Sequence, residues 1–301
     1  MTDKYFDHYS VLKNECLSFM EGSLLADLTF GGGGHTLEIA RKNPDALVYA
    51  TDQDGEAYAN GIKKIEANDL SGRIKLLKMN FEIFPNWCHE NNVSNFDGIL
   101  MDLVVSSHHF DKFERGFSFK ESAPLDMRMN EESDLTAEDV LNNETEEDIA
   151  NIIYKYGEER YSRKIAKSII EYRKENGAIK TTKELENIVF HAYPKHERYK
   201  KTHPATKTFQ AIRIYVNREL EVLENTIAKL YELLAPSGRL AIISFHSLED
   251  RIVKHSFKDI FQNNKKTAKI LTKKPIYPSV LEVEENNRSR SAKLRVIQKI
   301  G

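Results

Sequence analysis

The sequence predicts an α/β protein whose Rossmann-like, mostly parallel sheet is interrupted by an inserted all-helical domain. From residue 24 onwards, apolar segments of strand length alternate with amphipathic segments, which is typical of a parallel sheet covered by helices. This alternation stops near residue 111, and only helical spacing follows until residue 202. Strand-like segments then return. We therefore predict that residues 1–110 and 203–301 form one domain and that residues 111–202 are the insertion, which we expect to recognise the substrate.

The elements are predicted in chain order from the same patterns. Four strands are expected in the first part of the sheet, with a helix at 36–42 after the first of them: 24–30, 47–51, 73–79 and 96–105. Four helices are expected in the insertion: 136–141, 146–156, 160–176 and 182–193. A long helix, a strand, a helix and a terminal strand follow: 205–234, 239–245, 248–261 and 294–299. Residues 265–274 are predicted to form a basic loop, and residues 282–290 a polar, mobile loop.

Composition limits the class of protein. Of the 301 residues, 40% are hydrophobic and 30% charged, which supplies a core and excludes a disordered chain. No apolar run approaches the roughly 20 residues that a membrane helix needs, and the first ten residues resemble no export signal. Cys16 and Cys88 lack C-x-x-C spacing, which disfavours a disulfide framework or a zinc site. We therefore expect a soluble cytoplasmic protein with no membrane partner and no bound metal.

Charge is distributed unevenly along the chain. Residues 121–160 contain thirteen acidic and three basic residues, whereas 195–218 contain seven basic and one acidic, and 254–301 twelve and four. Clustered lysine and arginine are typical of proteins that neutralise nucleic-acid phosphates, although they also serve solubility. The two basic segments therefore make a nucleic acid a candidate partner.

The glycine-rich segment 27–35, D-L-T-F-G-G-G-G-H, lies between a predicted strand and a predicted helix. Glycines in this position let backbone N–H groups approach a ligand beside the positive end of the helix dipole. The segment lacks the G-x-G-x-x-G spacing of dinucleotide-binding loops, and it lacks the G-K-[ST] of a P-loop. It therefore predicts a small polar ligand other than a dinucleotide, with a purely structural glycine turn as the alternative.

Acidic residues stand where the predicted strands end. Asp27 precedes the glycines, Asp52 ends the second strand and Asp102 ends the fourth. An acid at the end of the second strand of such a unit typically binds ribose hydroxyls. Carboxylates also suit the positive charges of S-adenosylmethionine, which we therefore predict as the ligand. Phe81, after the third strand, is a candidate to stack on its adenine ring, and a core aromatic is the alternative.

Seven segments spread along nearly the whole chain resemble, in order, the bacterial small-subunit ribosomal RNA (cytosine-N4)-methyltransferase family. They are T-F-G-G-G-G-H at 29–35, D-G-I-L-M-D-L-V-V-S-S at 97–107, E-R-G-F-S-F at 114–119, P-L-D-M-R-M at 124–129, Y-G-E-E-R at 156–160, H-P-A-T-K-T-F-Q-A-I-R-I-Y-V-N at 203–217 and S-F-H-S-L-E-D-R at 244–251. The resemblance implies a class I S-adenosylmethionine-dependent methyltransferase fold. It also implies, as methyl acceptor, the N4 amine of a cytidine in the decoding region of 16S ribosomal RNA.

The resemblance further implies which residues contact the cofactor: Gly33, Gly34, His35, Asp52, Phe81 and Asp102. Where the family has D-L-G-V-S-S-P-Q, this chain has D-L-V-V-S-S-H-H. His109 therefore stands at the cofactor-binding glutamine, and Val104 stands at the glycine. An imidazole still donates or accepts one hydrogen bond, whereas Val104 restricts the backbone. We interpret both departures as tuning the site.

Cytosine N4 is a poor nucleophile because its lone pair is delocalised into the ring, so catalysis depends on alignment and on a hydrogen-bond acceptor for the amine. The candidates are Asp102, Ser106 and Ser107. The (D/N)-P-P-(Y/F) motif of other amino-group methyltransferases is absent at the fourth strand, so the identity of a base stays open. His246 is a further catalytic candidate, with a structural role as the alternative, and residues 247–250 are predicted to form a helix capping box.

Six basic residues are candidate contacts to the RNA: Arg115, Arg128, Lys207, Arg213, Arg288 and Arg290. The last two belong to a predicted C-terminal basic patch with Lys293 and Arg295. Salt bridges to nearby acids are the alternative for Arg115 and Arg128, and a solvated tail is the alternative for the patch.

These observations predict an enzyme that methylates a cytidine N4 of small-subunit ribosomal RNA, with the assembled or assembling subunit as its partner. One alternative is a methyltransferase of the same fold that acts on another nucleic acid. Another is a non-catalytic ribosome-assembly factor. The oligomeric state stays open, with a homodimer as one option.

Overall fold

The computed structural model describes residues 10–104 and 113–301, which belong to two compact units. One unit comprises Met1–Val104 and Leu220–Gly301, and the other comprises Val105–Glu219. The second unit is longer than the predicted insertion because the helix Ala205–Val216 belongs to it. Phe209 and Ile212 of that helix are buried in the helical unit's own core, which explains the assignment.

The first unit is built on a seven-stranded sheet with the strand order β3-β2-β1-β4-β5-β7-β6. Its strands are β1 (Leu24–Asp27), β2 (Leu47–Asp52), β3 (Ile74–Lys78), β4 (Phe96–Asp102), β5 (Leu234–Ser244), β6 (Ala268–Ile270) and β7 (Lys293–Lys299). Strands β1 to β5 pair in parallel, and β7 pairs antiparallel with β5 and β6. The predicted mostly parallel, Rossmann-like sheet is confirmed.

Helices connect these strands and form the second unit. In the described residues they are α1 (Lys13–Phe19), α2 (Gly34–Lys42), α3 (Gly55–Ala67), α4 (Phe84–Glu90), α5 (Ala137–Asn143), α6 (Glu146–Gly157), α7 (Ser162–Asn176), α8 (Thr182–Ala192), α9 (Ala205–Val216), α10 (Glu219–Glu232), α11 (Ser247–Asn263) and α12 (Val280–Glu285). Across residues 10–104 and 113–301, no helix is both long enough and apolar enough to cross a bilayer.

The core of the first unit lies on both faces of the sheet. Neighbouring strand residues belong to different apolar clusters: Leu25 lies in one and Ala26 in the other, and the same holds for Val48 and Tyr49. Successive side chains of a strand point to opposite faces. Both faces are therefore covered, as a parallel sheet requires.

The second unit has a helical core of its own, to which α5 to α9 contribute. Polar side chains define where its helices start: Thr136 and Asp139 form a capping box at α5, and Thr181 and Glu184 form one at α8. Each box satisfies backbone N–H groups that a helix start leaves unpaired. The four helices predicted in the insertion are present, with ends shifted by no more than two residues.

Three predictions of local structure are wrong. The helix predicted at 205–234 is two helices, because the chain turns at Asn217 and Arg218, where Arg218 takes a φ of 50°. The loop predicted at 265–274 contains β6, which gains its partner from β7. The loop predicted at 282–290 begins inside α12, which Ser279 caps by accepting from the Glu282 N–H.

Candidate functional site

The candidate site lies at the carboxyl ends of β1, β2 and β4. Strand β1 pairs with β2 on one side and β4 on the other, so the chain order reverses next to it. Ligands of open parallel sheets bind at such a switch point. Asp27, Asp52 and Asp102 end these three strands. The structure thus brings together the acids that the sequence suggested.

The glycine loop closes tightly over the end of β1. Gly31 has a φ of 51° and Gly33 a φ of 81°. Residues other than glycine rarely adopt this left-handed backbone conformation. A Cβ on Gly33 would lie 2.6 Å from Cζ of Phe30. Helix α2 begins at the next residue, Gly34, so its first N–H groups adjoin the loop. This backbone can therefore approach a polar ligand closely.

Asp52 ties the loop to the end of β2. Its Oδ2 accepts a hydrogen bond from the Gly31 N–H at 2.7 Å, and its Oδ1 accepts one from the Asp54 N–H at 2.9 Å. The residue is half-buried, so its carboxylate is within reach of a ligand at the loop. Carboxylate oxygens at the end of the second strand are suitable acceptors for ribose hydroxyls.

Asp27 lies beneath the loop and is fully buried. Its Oδ2 accepts from the Thr36 hydroxyl at 2.6 Å, and its Oδ1 accepts from the Thr29 N–H at 3.2 Å. Burial raises the pKa of Asp27 to about 6, although the nearby His35 and these hydrogen bonds lower it in part. These contacts place Asp27 as a support of the loop instead of a group exposed to a ligand.

His35 is buried between the acids. Its Nε2 lies 3.4 Å from Oδ2 of Asp102, in a geometry that leaves both ring nitrogens without a hydrogen-bond partner in residues 10–104 and 113–301. Burial by itself would lower the pKa of His35, but the Asp102 carboxylate, followed by Asp27, raises it above its usual value. The two carboxylates therefore favour the protonated form of His35.

Asp102 is held in place by its neighbours. Its N–H donates to the Thr29 hydroxyl at 2.6 Å, and its Oδ1 accepts from the Val104 N–H at 3.2 Å. Thr29 therefore joins β1 to β4. Sequence reasoning missed the supporting roles of Thr29 and Thr36, although the D-x-T spacing at residue 27 is a known signal for a side-chain turn of this kind.

The other residues predicted at this edge differ in placement. Phe81 is half-buried and packs against one of the sheet's apolar clusters, which is compatible with either predicted role. Ser106, Ser107 and His109 lie outside the described residues. The glycine cradle and the half-buried Asp52 carboxylate fit a ligand that carries a ribose, as S-adenosylmethionine does.

His246 caps helix α11. Its Nδ1 accepts from the Glu249 N–H at 3.4 Å, and the Glu249 carboxylate accepts from the N–H groups of Phe245 and His246. The capping box predicted at 247–250 is therefore wrong by one residue. Asp250 is engaged elsewhere, since its carboxylate accepts from the Arg295 guanidinium at 2.6 Å. These contacts account for His246 as a structural residue.

Three of the candidate RNA contacts in the second unit have internal partners. Arg115 is buried and donates to the carbonyls of Arg128 and Met129. Arg128 forms a two-point pair with Asp126, and Arg213 forms one with Glu219. Such contacts favour the salt-bridge alternative. Lys207 is exposed, and its ammonium donates to the Glu158 carbonyl at 2.9 Å.

The predicted C-terminal patch divides into two pairs. Arg288 and Arg290 are exposed, whereas Arg295 is buried and Lys293 lies 3.5 Å from the same Asp250 carboxylate that pairs with Arg295. Including Arg295 in an RNA patch is therefore wrong, because its side chain is buried and paired with Asp250, whereas Lys293 is half-buried beside the same carboxylate. Arg288 and Arg290 remain the predicted contacts.

A polar cavity of about 640 Å³ lies beside the glycine loop. Gly32 and Gly34 line it together with side chains of α2, α3 and α12. Charges of both signs line its wall, including Lys64, whose ammonium donates to the Gly32 carbonyl at 2.9 Å. The cavity therefore shares Gly32 and Gly34 with the candidate site, whereas its lining contains none of the three acids at the strand ends.

Comparison with known proteins assigns the chain to a family. The model of the MraW methylase family matches residues 5–300. Ribosomal RNA small subunit methyltransferase H of a Sulfurihydrogenibium species is 47% identical over 98% of this chain and 99% of its own length. The protein of that name from Trichormus variabilis is 45% identical over 98% of this chain and 92% of its own. A solved rRNA methylase from Streptococcus thermophilus is 11% identical, with a TM-score of 0.44 over 95% of this chain and 94% of its own. The near full-length family match and the two close relatives confirm the resemblance, and the chain belongs to the MraW methylase family.

Proposed function

We propose that this chain transfers a methyl group from S-adenosylmethionine to the exocyclic N4 of a cytidine in the decoding region of small-subunit ribosomal RNA. The observation that carries the proposal is the convergence of the glycine loop, Asp52 and Asp102 at the switch point of the sheet. Family membership and the relatives' names, ribosomal RNA small subunit methyltransferase H, support the reaction and the substrate.

The donor site is proposed to use the loop and the strand ends. Gly33 and Gly34 let the backbone approach the ligand, and the Asp52 carboxylate accepts hydrogen bonds from ribose hydroxyls. Phe81 is proposed to contact the adenine, and His109 to supply one hydrogen bond. Asp27 is proposed to support the loop through Thr29 and Thr36, and His35 is proposed to offset the charge of the Asp102 carboxylate. When bound, the cofactor supplies an activated methyl group on a sulfonium.

The acceptor site is proposed to lie at the end of β4. Asp102 is oriented by Thr29 and Val104, and its charge is compensated by His35, so its carboxylate is fixed before the substrate binds. An acceptor fixed in this way can draw an amine N–H toward itself and localise the lone pair that attacks. Ser106 and Ser107 are proposed to help. The cytidine must leave its stack to enter such a site.

The partner is proposed to be the small ribosomal subunit, assembled or assembling, in the cytoplasm. Arg288, Arg290 and Lys207 are exposed and are proposed to contact its RNA. Arg115, Arg128 and Arg213 are proposed to act indirectly, because their guanidinium groups hold the backbone or an acid within the second unit.

The test is transfer of labelled methyl from S-adenosylmethionine to unmodified small subunits, to free small-subunit RNA and to DNA, followed by nucleoside analysis. We expect N4-methylated cytidine at one position of the RNA in subunits. Equal labelling of DNA would contradict the ribosomal substrate. Cofactor binding without methyl transfer to any of these acceptors would contradict the proposal that the chain is an enzyme and would favour a non-catalytic assembly factor.

A paired variant tests the role of Asp102 in this reaction. Asp102→Asn keeps the side chain's shape but removes its charge, and we expect the rate of methyl transfer to fall by about 100-fold or more. Asp45→Asn changes an exposed acid of the same unit and should leave the rate unchanged. An Asp102→Asn enzyme with wild-type turnover would place the reacting centre elsewhere.

A further inference from the structure

The second unit carries a group of aromatic rings at its surface that the proposed donor and acceptor sites do not use. Phe190 at the end of α8 lies 5.7 Å from the ring of Tyr199, at an interplanar angle of 78°, and 5.9 Å from the nearly parallel ring of His203. Tyr199 is 86% exposed, the highest exposure of any large hydrophobic residue in the described chain. We call Phe190, Arg198, Tyr199 and His203 the aromatic-basic surface.

Arg198 is fixed against this group. Its Nε donates to the Tyr193 carbonyl at 3.0 Å, and its Nη2 donates to the His191 carbonyl at 2.8 Å. These bonds hold the guanidinium 5.4 Å from the centre of the Phe190 ring, within range of a cation–π contact. The planar group therefore does not need to be ordered when a ligand arrives.

His203 anchors the other side of the surface. Its ring lies 4.8 Å from Phe119 and its Nδ1 accepts from the Ala205 N–H, while its Nε2 lies 3.1 Å from Oε1 of Glu186. The Phe190 ring thus contacts both Arg198 and His203, and it meets the Tyr199 ring edge to face. An exposed tyrosine supported in this way offers a free ring face at low entropic cost.

The segment that carries Tyr199 has a net positive charge. Residues 195–201 contain four lysine or arginine residues and one acid, Glu197. Glu197 is saturated, because Arg160, Lys200 and the Tyr161 hydroxyl all bind its carboxylate. Lys195 and Lys201 are exposed and form no ion pair with any residue in the described ranges. Their ammonium groups are therefore available to phosphates.

We propose that the aromatic-basic surface binds a single-stranded segment of RNA, with a base stacked on Tyr199 and phosphates contacting Lys195 and Lys201. Stacking platforms flanked by cations are the general means of holding unpaired nucleotides. An acidic protein surface would pair with the lysines, but its carboxylates would leave the exposed face of the Tyr199 ring uncovered. The inference rests on the proposed function for the identity of the nucleic acid, and it adds a docking surface for the substrate on the helical unit.

The experiment measures binding of a labelled single-stranded RNA of about 12 nucleotides and of the matching duplex to the full chain, by fluorescence anisotropy at several salt concentrations. We expect Tyr199→Ala to weaken binding of the single strand about tenfold and Tyr199→Phe to change it less than about twofold. Tyr154→Ala, which removes another exposed tyrosine of the same unit, is the matched control and should have no effect.

A second variant tests the phosphate contacts. Replacing Lys195 and Lys201 by alanine should reduce the slope of log affinity against log salt by about 1.4, since each single-strand contact contributes about 0.7. Unchanged single-strand affinity in Tyr199→Ala, or equal losses for duplex and single strand, would overturn the proposal.

Methyl transfer to subunits separates this inference from the proposed function. If Tyr199→Ala raises KM for subunits and leaves kcat unchanged, the result supports both the docking surface and the proposed function. Methylation of ribosomal RNA with no effect of Tyr199→Ala on KM would overturn only the docking surface. Tyr199-dependent RNA binding without any methyl transfer would overturn only the proposed function.

Discussion

At the scale of single residues, the candidate site is an arrangement of buried charges. Asp27 and Asp102 are both almost fully buried, and His35 lies between them with its pKa raised. Burying an isolated carboxylate is costly, so a nearby positive charge or a bound proton must compensate it. A protonated His35 supplies part of that charge, which connects the electrostatics of the loop to those of the end of β4.

The pH dependence of stability should report this arrangement. Because the folded-state pKa of His35 is raised, its contribution to the free energy of unfolding is complete below about pH 6.5 and is lost as the pH rises through the folded-state value. We expect urea unfolding between pH 6 and 9 to show a steeper loss for the wild type than for His35→Gln. The exposed His255→Gln is the control and should follow the wild type. Parallel curves for wild type and His35→Gln would contradict the charge assigned to His35.

Asp52 should separate cofactor binding from RNA binding. Its carboxylate holds the Gly31 N–H and is proposed to bind ribose hydroxyls, so Asp52→Ala should weaken S-adenosylmethionine binding about 10- to 100-fold in calorimetry. RNA affinity should stay nearly unchanged. Asp52→Asn, which keeps one acceptor oxygen, should lose less, and the exposed Asp45→Ala should lose nothing. Equal losses for cofactor and RNA would mean that the variant damages more than this site.

At the scale of elements, side chains decide where helices stop. Helix α9 ends at Val216, and the side-chain amide of the next residue, Asn217, accepts from the Met129 N–H at 2.7 Å and donates to the Met127 carbonyl at 2.8 Å. The periodicity of apolar residues continues past this point, which is why the sequence predicts one helix. Two tertiary hydrogen bonds to a distant loop favour the break, because they satisfy backbone groups that would otherwise lack partners.

Asn217→Ala tests that explanation. It removes the partner of one backbone N–H and one backbone carbonyl, so we expect the free energy of unfolding to fall by about 1–3 kcal/mol in urea denaturation. Asn187→Ala lies on α8 with an exposed side chain and should change stability far less. If both variants were equally stable, the hydrogen bonds to Met127 and Met129 would not fix the chain at the break.

At the scale of the whole molecule, each unit has its own core, and the basic residues are sorted by structure into exposed and internal groups. Arg288 and Arg290 lie on the surface of the first unit, whereas Arg295 faces inward on β7 and pairs with Asp250. Only exposed cations can release counterions from a nucleic acid. Counting basic residues along the sequence therefore overstates how many of them can contact RNA.

Charge reversal should distinguish these groups. We expect Arg288→Glu with Arg290→Glu to weaken RNA binding and to lower its salt slope by about 2. Lys63→Glu with Lys75→Glu makes the same charge change on exposed positions of α3 and β3 and should affect RNA less. Arg295→Gln should instead lower the free energy of unfolding, because it leaves Asp250 without its main partner. An unchanged salt slope in the first variant would move the RNA site elsewhere.

The sequence by itself determined the alternation of strands and helices, the parallel sheet, the helical insertion, and the position of the glycine loop with Asp52 nearby. These features depend on local rules: side-chain period, glycine's backbone freedom, and the fact that parallel strands end at one edge. The family resemblance depends on residues in order along the chain, so it too was visible without a structure.

Only the tertiary structure decided which charged groups are buried and what they pair with. Asp27, His35 and Asp102 are brought together although Asp102 is far along the chain, and Arg295 binds Asp250 across 45 positions. It also decided the break after α9, the start of α11 at His246 and the aromatic-basic surface. Burial and pairing depend on neighbours in space, and the energy of a charge depends on that environment more than on its neighbours in sequence.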